Sequence, residues 1–425
     1  YNMSKKSTKA LASATLMSLV LTTALSAGPV KAAQGSVTRV SGNNRYATAA
    51  EVAKSNWKDG SKNVVLVSGE GYADAVSASA LAKKLDAPII LTTSDTLSSE
   101  AQDALNTLKP TNVYVVGGTA SISQSIRNGL KSKYTLTELG GSSRYETNVA
   151  VAKELVTLGV SASNVMVVGG QGFADALSVA PVAAAKGQIL LLANNNQDSI
   201  QSVINFVKDN NSKVTIVGTT GVISDVIKDA FGSDATRVNG GTDRFATNLA
   251  VLNQFKSNLK TDKLYISNAS SATPDNLYAD ALVASALAGK YTAPLLLVDT
   301  DTSGATTNAL KYISDNTTKT TDLELIGGTG VVSSTLEGKI NDIYKVPNPT
   351  TDSVSSVDSN GLRQIKVVFD GEVDQDTAED VTNYKVDGTT LSDGEDSAVL
   401  QDDNKTVLVT LKDKQKQDDD VDVTV

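Results

Sequence analysis

Across the first 346 residues, short runs that are almost wholly apolar alternate with longer stretches whose apolar residues return every three or four positions. Between residues 37 and 131 the short runs are Val37 to Val40, Val64 to Val67, Ile89 to Thr92 and Val113 to Val116. The longer ones are Ala47 to Asn56, Ala73 to Leu85, Ser98 to Leu108 and Ser123 to Lys131. Unalternated β-branched and aliphatic runs read as strands buried on both faces, and such strands spaced by helices predict a parallel sheet covered on both sides. Ser98 and Ser123 stand where hydroxyls cap helix starts. The Ala and Ser content of Ala73 to Ala82 predicts a helix lying close to the sheet or to a neighbouring copy. After Val346-Pro-Asn-Pro-Thr-Thr351 the period falls to two, in Gln364 to Phe369, Tyr384 to Val386 and Thr406 to Leu411. Asn360-Gly361, Asp370-Gly371, Asp387-Gly388 and Asp393-Gly394 punctuate those runs as turns, which predicts an Ig-like β-sandwich.

The α/β pattern is tripled. Gly42-Asn-Asn-Arg45-Tyr46-Ala-Thr48 returns as Gly141-Ser-Ser-Arg144-Tyr145-Glu-Thr147 and as Gly241-Thr-Asp-Arg244-Phe245-Ala-Thr247. Each copy continues to Tyr72-Ala-Asp74-Ala, Phe173-Ala-Asp175-Ala or Tyr278-Ala-Asp280-Ala. Next come Pro88-Ile-Ile-Leu91, Gln188-Ile-Leu-Leu191 and Pro294-Leu-Leu-Leu297. Each copy closes on Val115-Val-Gly-Gly-Thr, Ile216-Val-Gly-Thr-Thr or Leu325-Ile-Gly-Gly-Thr. A period near one hundred residues is a domain and not a solenoid repeat. The expected fold class is therefore α/β: three tandem doubly wound units at 33–134, 135–234 and 235–346, a stiff linker at 347–351, and a partial all-β domain at 352–425.

Composition narrows what such a chain can do. None of its 425 residues is His or Cys, which excludes the commonest general base, Ser-His and Cys-His nucleophile systems, the usual zinc ligands, CxxC redox chemistry and disulfides. The net charge of −9 argues against nucleic acid as a partner. Most of that charge sits at one end, since Thr350 to Val425 carries 19 acidic against 7 basic residues. Lys5, Lys6 and Lys9 precede an apolar stretch from Ala10 to Ala27, and Val30-Lys31-Ala32 resembles a cleavage site. Residues 1–32 thus read as an export signal, and no later stretch is long enough to span a bilayer. Tyr1-Asn2 before Met3, and a chain that stops within a strand-like run, give both ends the look of a fragment.

Three side chains recur as candidates for chemistry. Arg45, Arg144 and Arg244 suit phosphate or carboxylate ligation, multiplied by avidity across three copies. Alternatively each pairs with the aspartate of its own copy, Asp74, Asp175 or Asp280, as a structural ion pair. The neighbouring aromatics read as core. Ser68-Gly-Glu-Gly71 lies between a strand and a helix but lacks the third glycine of a dinucleotide fingerprint, and no Gly-Lys-Ser/Thr follows any turn. Glu70 and Asp74 could form a carboxylate pair for glycoside cleavage, yet copy two has Gln171 at the place of Glu70. With no catalytic residue unique to one copy, the tripled scaffold reads as a binding array and not an enzyme. No cofactor is expected; calcium is an alternative for Asp370 to Asp376 and Asp418 to Asp422, although the EF-hand glycine is missing and a solvated acidic face is the plainer reading.

The ordered set G-x-x-R-[YF]-x-T, [YF]-A-D-A, P-[IL]-[IL]-L and V-G-G-T-x-x-[IV]-S resembles the cell wall binding repeat 2 family of Gram-positive bacteria over residues 35 to 346. That resemblance implies a Toprim-like α/β fold per repeat, a pseudo-threefold block, and non-covalent attachment to an anionic secondary cell wall polymer. It also implies polymer contact by the apolar segment, here Ile89, Ile90 and Leu91, then Ile189, Leu190 and Leu191, then Leu295, Leu296 and Leu297. Copy two departs from the pattern at Gln188 and Thr219. The C-terminal segment is similar to Ig-like domains of surface-layer proteins, so the chain reads as a secreted wall protein, a surface-layer subunit able to self-assemble. The alternative is the targeting part of a wall hydrolase or adhesin.

Overall fold

A computed structural model describes residues 37–270, 278–344, 354–416 and 421–425. The export segment 1–32 and the linker 347–351 lie outside them, as do Asp418 to Asp420 of the last acidic run. Copy one supplies β1 (Val37–Val40), α1 (Arg45–Asn56), β2 (Asn63–Ser68), α2 (Ala73–Leu85), β3 (Ile89–Thr92), α3 (Ser99–Leu108), β4 (Asn112–Val116) and α4 (Gln124–Lys131). Copy two supplies β5 (Thr135–Leu139), α5 (Arg144–Thr157), β6 (Asn164–Gly169), α6 (Ala174–Ala185), β7 (Ile189–Ala193), α7 (Gln201–Asp209), β8 (Lys213–Val217) and α8 (Asp225–Phe231). Copy three supplies β9 (Thr236–Val238), α9 (Arg244–Gln254), β10 (Lys263–Asn268), α10 (Ala279–Tyr291), β11 (Leu295–Val298), α11 (Gly304–Asn316), β12 (Asp322–Ile326) and α12 (Ser334–Asp342). Ser98 and Ser123 cap α3 and α4, accepting from Ala101 N–H and Ile126 N–H.

Three parallel four-stranded sheets result, with orders β3-β2-β4-β5, β7-β6-β8-β9 and β11-β10-β12-β1. The fourth strand of every sheet therefore belongs to another copy: the following one in units one and two, and copy one in unit three. β5 opens copy two but completes unit one; β9 opens copy three but completes unit two. β1 pairs with β12, from Val37 beside Leu323 to Val40 beside Ile326, and closes unit three. The sheets thus divide the chain one strand later than the expected boundaries at 135 and 235.

Charge reinforces each pairing. In unit one, Arg127 of α4 donates to the Gly117 carbonyl at 2.7 Å and pairs with Glu138 of β5 at 2.9 Å. In unit three the signs are exchanged: Arg39 of β1 donates to the Gly327 carbonyl at 2.6 Å and pairs with Glu337 of α12 at 2.7 Å. In unit two, Arg237 of β9 donates to the Gly218 carbonyl at 2.9 Å and reaches Asp225 at 3.1 Å.

The Ala- and Ser-rich helices α2, α6 and α10 meet one another at the centre of the ring. Small side chains allow the approach: Ser79 and Ser285 hydroxyls lie 3.1 Å apart, and a Cβ on Gly289 would stand 2.8 Å from that of Ala184. Burial of these faces and of the sheets forms a core that runs across all three units. The outer strands β7 and β11 are sealed by asparagine side chains. Asn148 donates to the Leu190 carbonyl and accepts from Leu192 N–H, both at 2.9 Å; Asn248 does the same to Leu295 and Leu297 at 3.0 Å. Each amide stands in for a neighbouring strand.

The C-terminal part is antiparallel β, as its period-two runs predict. Strands Val354–Ser359, Gln364–Phe369, Thr406–Thr410 and Ser397–Leu400 form one sheet, and Thr389–Thr390, Lys385–Val386 and Val423–Thr424 another. Ile365, Val367, Phe369, Tyr384, Val407 and Val409 are buried in its core. Asp387 and Gly388 both take positive φ, 51° and 77°, in the tight turn between two of the short strands. Asp374 of the acidic run 370–376 caps a helical turn by accepting from Thr377 N–H at 3.0 Å. Among the described residues no three His, Cys, Asp or Glu are grouped to hold a metal.

Candidate functional site

The loop before α1, α5 and α9 is built by the first repeated motif. Asn44, Ser143 and Asp243 cap these helices through their side chains. Thr48, Thr147 and Thr247 reach back to accept from Gly42, Gly141 and Gly241 N–H at 3.1, 3.1 and 3.0 Å. A Cβ on any of those glycines would fall 2.3 Å from a side chain of the helix's first turn, so only glycine fits the tight entry. The entry fixes the arginine one residue inside the helix. Arg45, Arg144 and Arg244 each donate Nη1 to the carbonyl just past a strand end, Gly69 at 2.6 Å, Gly170 at 2.7 Å and Ala269 at 2.9 Å.

The second and fourth motifs explain one another. Asp74, Asp175 and Asp280 sit in the first turn of α2, α6 and α10, and their carboxylates point at Gly117, Gly218 and Gly327. These glycines have φ of 126°, 129° and 130°, and a Cβ on them would stand 2.7, 2.7 and 2.9 Å from the carboxylate oxygen. Glycine is required there twice over, for the backbone angle and for the close approach. Burial pushes Asp280 up to about 6, against a hydrogen bond from Thr48 and the charge of Arg45. Burial also raises Asp74, opposed by a hydrogen bond from Ser121 and by Arg144 and Arg127, and raises Asp175, opposed by Thr247.

These partners correct the expected ion pairs. Asp74 faces Arg144, not Arg45, and Asp280 faces Arg45 together with Thr48. Asp175 takes its hydrogen bond from Thr247 of copy three. The structure offsets each contact by one copy because the fourth strand carries the following motif into the preceding unit. The aromatics beside the aspartates also do more than fill a core. Tyr72, Phe173 and Tyr278 meet at the ring's centre, with centroids 6.0, 6.3 and 4.2 Å apart. Arg144 lies 5.3 Å over Tyr72 and Arg244 lies 4.4 Å over Phe173, cation–π contacts that tie one copy to the next.

Cavities open beside these contacts. The first junction, between the turn after β4 and the loop before α5, holds about 360 Å³ lined by Glu70, Asp74, Ser121, Ser143 and Arg144 among others. The closing junction, between the turn after β12 and the loop before α1, holds about 470 Å³ lined by Asn44, Arg45, Asp280 and Val331. Near the second junction a cavity of about 270 Å³ is lined by copy two alone, from Gly169 to Val222.

The apolar segments lie elsewhere. Ile89, Ile90, Leu91, Ile189, Leu190, Leu191, Leu295, Leu296 and Leu297 are all at most 4% exposed, and none lines the three cavities. Their side chains are core, which removes them from direct contact with a polymer. The register also realigns copy two. Gly69, Gly170 and Ala269 N–H donate to Thr92, Ala193 and Val298, so Ile189 and not Gln188 occupies the place of Pro88 and Pro294. Asn148, Asn248, Arg127 and Glu138 were not singled out from the sequence; the Thr-Asn pair recurring in copies two and three was the one available signal, absent in copy one where Ala49 follows Thr48.

Residues 39–127, 138–228 and 238–337 match Cell wall binding domain 2 (CWB2). The N-acetylmuramoyl-L-alanine amidase LytC of Bacillus subtilis is 34% identical over 315 residues, covering 73% of this chain and 59% of that protein. The Surface-layer 125 kDa protein of Lysinibacillus sphaericus is 46% identical over 66 residues, 15% of this chain and 5% of that one. Among solved structures, Cwp6 from Clostridium difficile superposes with a TM-score of 0.64 at 29% identity, over 72% of this chain and 48% of its own.

Proposed function

Because the chain belongs to the cell wall binding domain 2 family, and so binds the cell wall, we propose that its ring grips an anionic secondary wall polymer at the inter-unit junctions. The observation that carries this reading is the pairing of a guanidinium with an open cavity at the first and closing junctions, where Arg144 and Arg45 form part of the lining. Phosphate or carboxylate groups along the polymer would be met by a planar cation beside backbone amides and hydroxyls. A weak contact repeated around one ring gains by effective concentration, which suits a non-covalent anchor. An exported surface protein, assembling with its own copies into a surface layer, is the whole-chain role that fits. Its acidic C-terminal part would be repelled by the polymer and project outward.

A second reading has one observation in its favour. The chain spans 59% of LytC, so the same ring could deliver a wall-hydrolysing activity carried on another part of a longer protein.

The test is retention of the full chain on purified cell walls before and after phosphodiester-linked polymers are stripped. Binding should be lost on stripped walls; equal retention on both would sink the anionic-polymer reading. Changing Arg45, Arg144 and Arg244 together to Gln should abolish retention, with circular dichroism reporting whether the fold persists.

A further inference from the structure

We infer that the ring takes the polymer at two junctions, the first and the closing one, and that Thr219 shuts the second. The inference rests on the junction reading above and adds which junctions are open. The deciding position is the second residue of the turn after β4, β8 and β12: Gly118, Thr219 and Gly328. A Cβ on Gly118 would lie 2.9 Å from the Gly141 carbonyl oxygen, and one on Gly328 would lie 3.7 Å from that of Gly42. Both directions point across the junction at the loop that carries the arginine. Glycine leaves that line clear, and there the cavities are walled by both copies, with Arg144 or Arg45 in the lining. Thr219 carries a Cβ and two further heavy atoms at the position where the other two turns have glycine.

The second junction differs as this predicts. A cavity beside it is lined from Gly169 to Val222, without Arg244 or its loop. Arg244 is laid closer over its aromatic partner than Arg144 is, 4.4 Å against 5.3 Å. A cavity without a cation has little to offer a polyanion. On this reading the second junction is a structural joint, in which Arg244 lies over Phe173.

Calorimetric titration of the full chain with polymer fragments released from the bacterium's own cell walls counts the sites. Two per chain are expected, falling to one in Arg144→Gln or Arg45→Gln and staying at two in Arg244→Gln. Thr219→Gly should raise the count to three. Gly328→Thr, whose Cβ meets its nearest atom at ordinary contact distance, should lower it to one without disturbing the fold. Three sites in the unaltered chain, or a count that neither Thr219→Gly nor Gly328→Thr moves, would overturn the inference while leaving junction binding intact. Two sites untouched by Arg144→Gln and Arg45→Gln, or no binding at all, would overturn the junction reading itself.

Discussion

Gly327 and Asp280 are fitted to one another across the start of α10 and the end of β12. Alanine at Gly327 would need a φ of 130° and would press its Cβ to 2.9 Å from the Asp280 carboxylate. Gly327→Ala should cost about 1–3 kcal/mol in denaturant unfolding. Gly330→Ala, three residues on with nothing within 4 Å of its Cβ, should cost almost nothing. Asp280 also has an oxygen, Oδ1, with no hydrogen-bond partner among the described residues. Its carboxyl is held near 6 against an ordinary 3.8, so its neutral form is the one the fold favours. That contribution is complete below 3.8 and is lost as pH rises through about 6, worth about 3 kcal/mol across the window. In Asp280→Asn the melting temperature should therefore fall less between pH 4 and pH 7 than in the unaltered chain. Both residues were visible in the sequence as recurring letters. Their mutual requirement was not, because Asp280 and Gly327 are far apart along the chain and meet only where a helix start faces a strand end.

At the scale of elements, strands and helices follow the hydrophobic pattern closely, since buried parallel strands leave little room for other readings. Strand membership was hidden for a reason peculiar to tandem repeats: a periodic sequence has no intrinsic starting point, so a cut before or after β5 gives the same period. What assigns β5 to unit one is β4-α4-β5 packing together with Glu138 against Arg127 and Lys131. Placed in unit three, Glu138 would face Glu337; placed in unit one, Arg39 would face Arg127. Glu138→Arg should accordingly destabilise unit one. Adding Arg127→Glu should restore much of the loss, because the double variant reproduces the arrangement of Arg39 and Glu337. A double-mutant cycle should give a coupling of about 1–3 kcal/mol. Edge sealing was equally hidden, since an asparagine inside a helix gives no sign of which strand it meets. Asn148→Ala would leave the Leu190 carbonyl and Leu192 N–H without their partner in a buried setting, and should cost about 2 kcal/mol or more by thermal unfolding.

At the scale of the molecule, three sheets and three central helices form one closed body whose seam is the β1–β12 pairing. Removing residues up to Val40 bares one edge of β12 and takes Arg39 from Glu337. Limited proteolysis of such a chain should cut first within residues 263–342, while units one and two resist. The family resemblance made the three-unit block readable from four motifs, and absent His and Cys had already turned the reading from catalysis to binding. Which motifs touch outward was the part the letters concealed. The apolar segment is the most conspicuous of them, yet it is core, whereas the cavities are framed by glycine turns and helix-entry loops.

The seam has a mechanical consequence. Everything that follows α12 along the chain is tethered through unit three, so a pull on the C-terminal part enters the ring beside β12. The first strand of the ring is hydrogen-bonded to that same β12, and tension is therefore divided at once between the two ends of the closed body. A wall-bound ring under load would share strain around its circumference instead of peeling from one copy to the next, much as a buckle fastened to itself holds where an open hook would straighten.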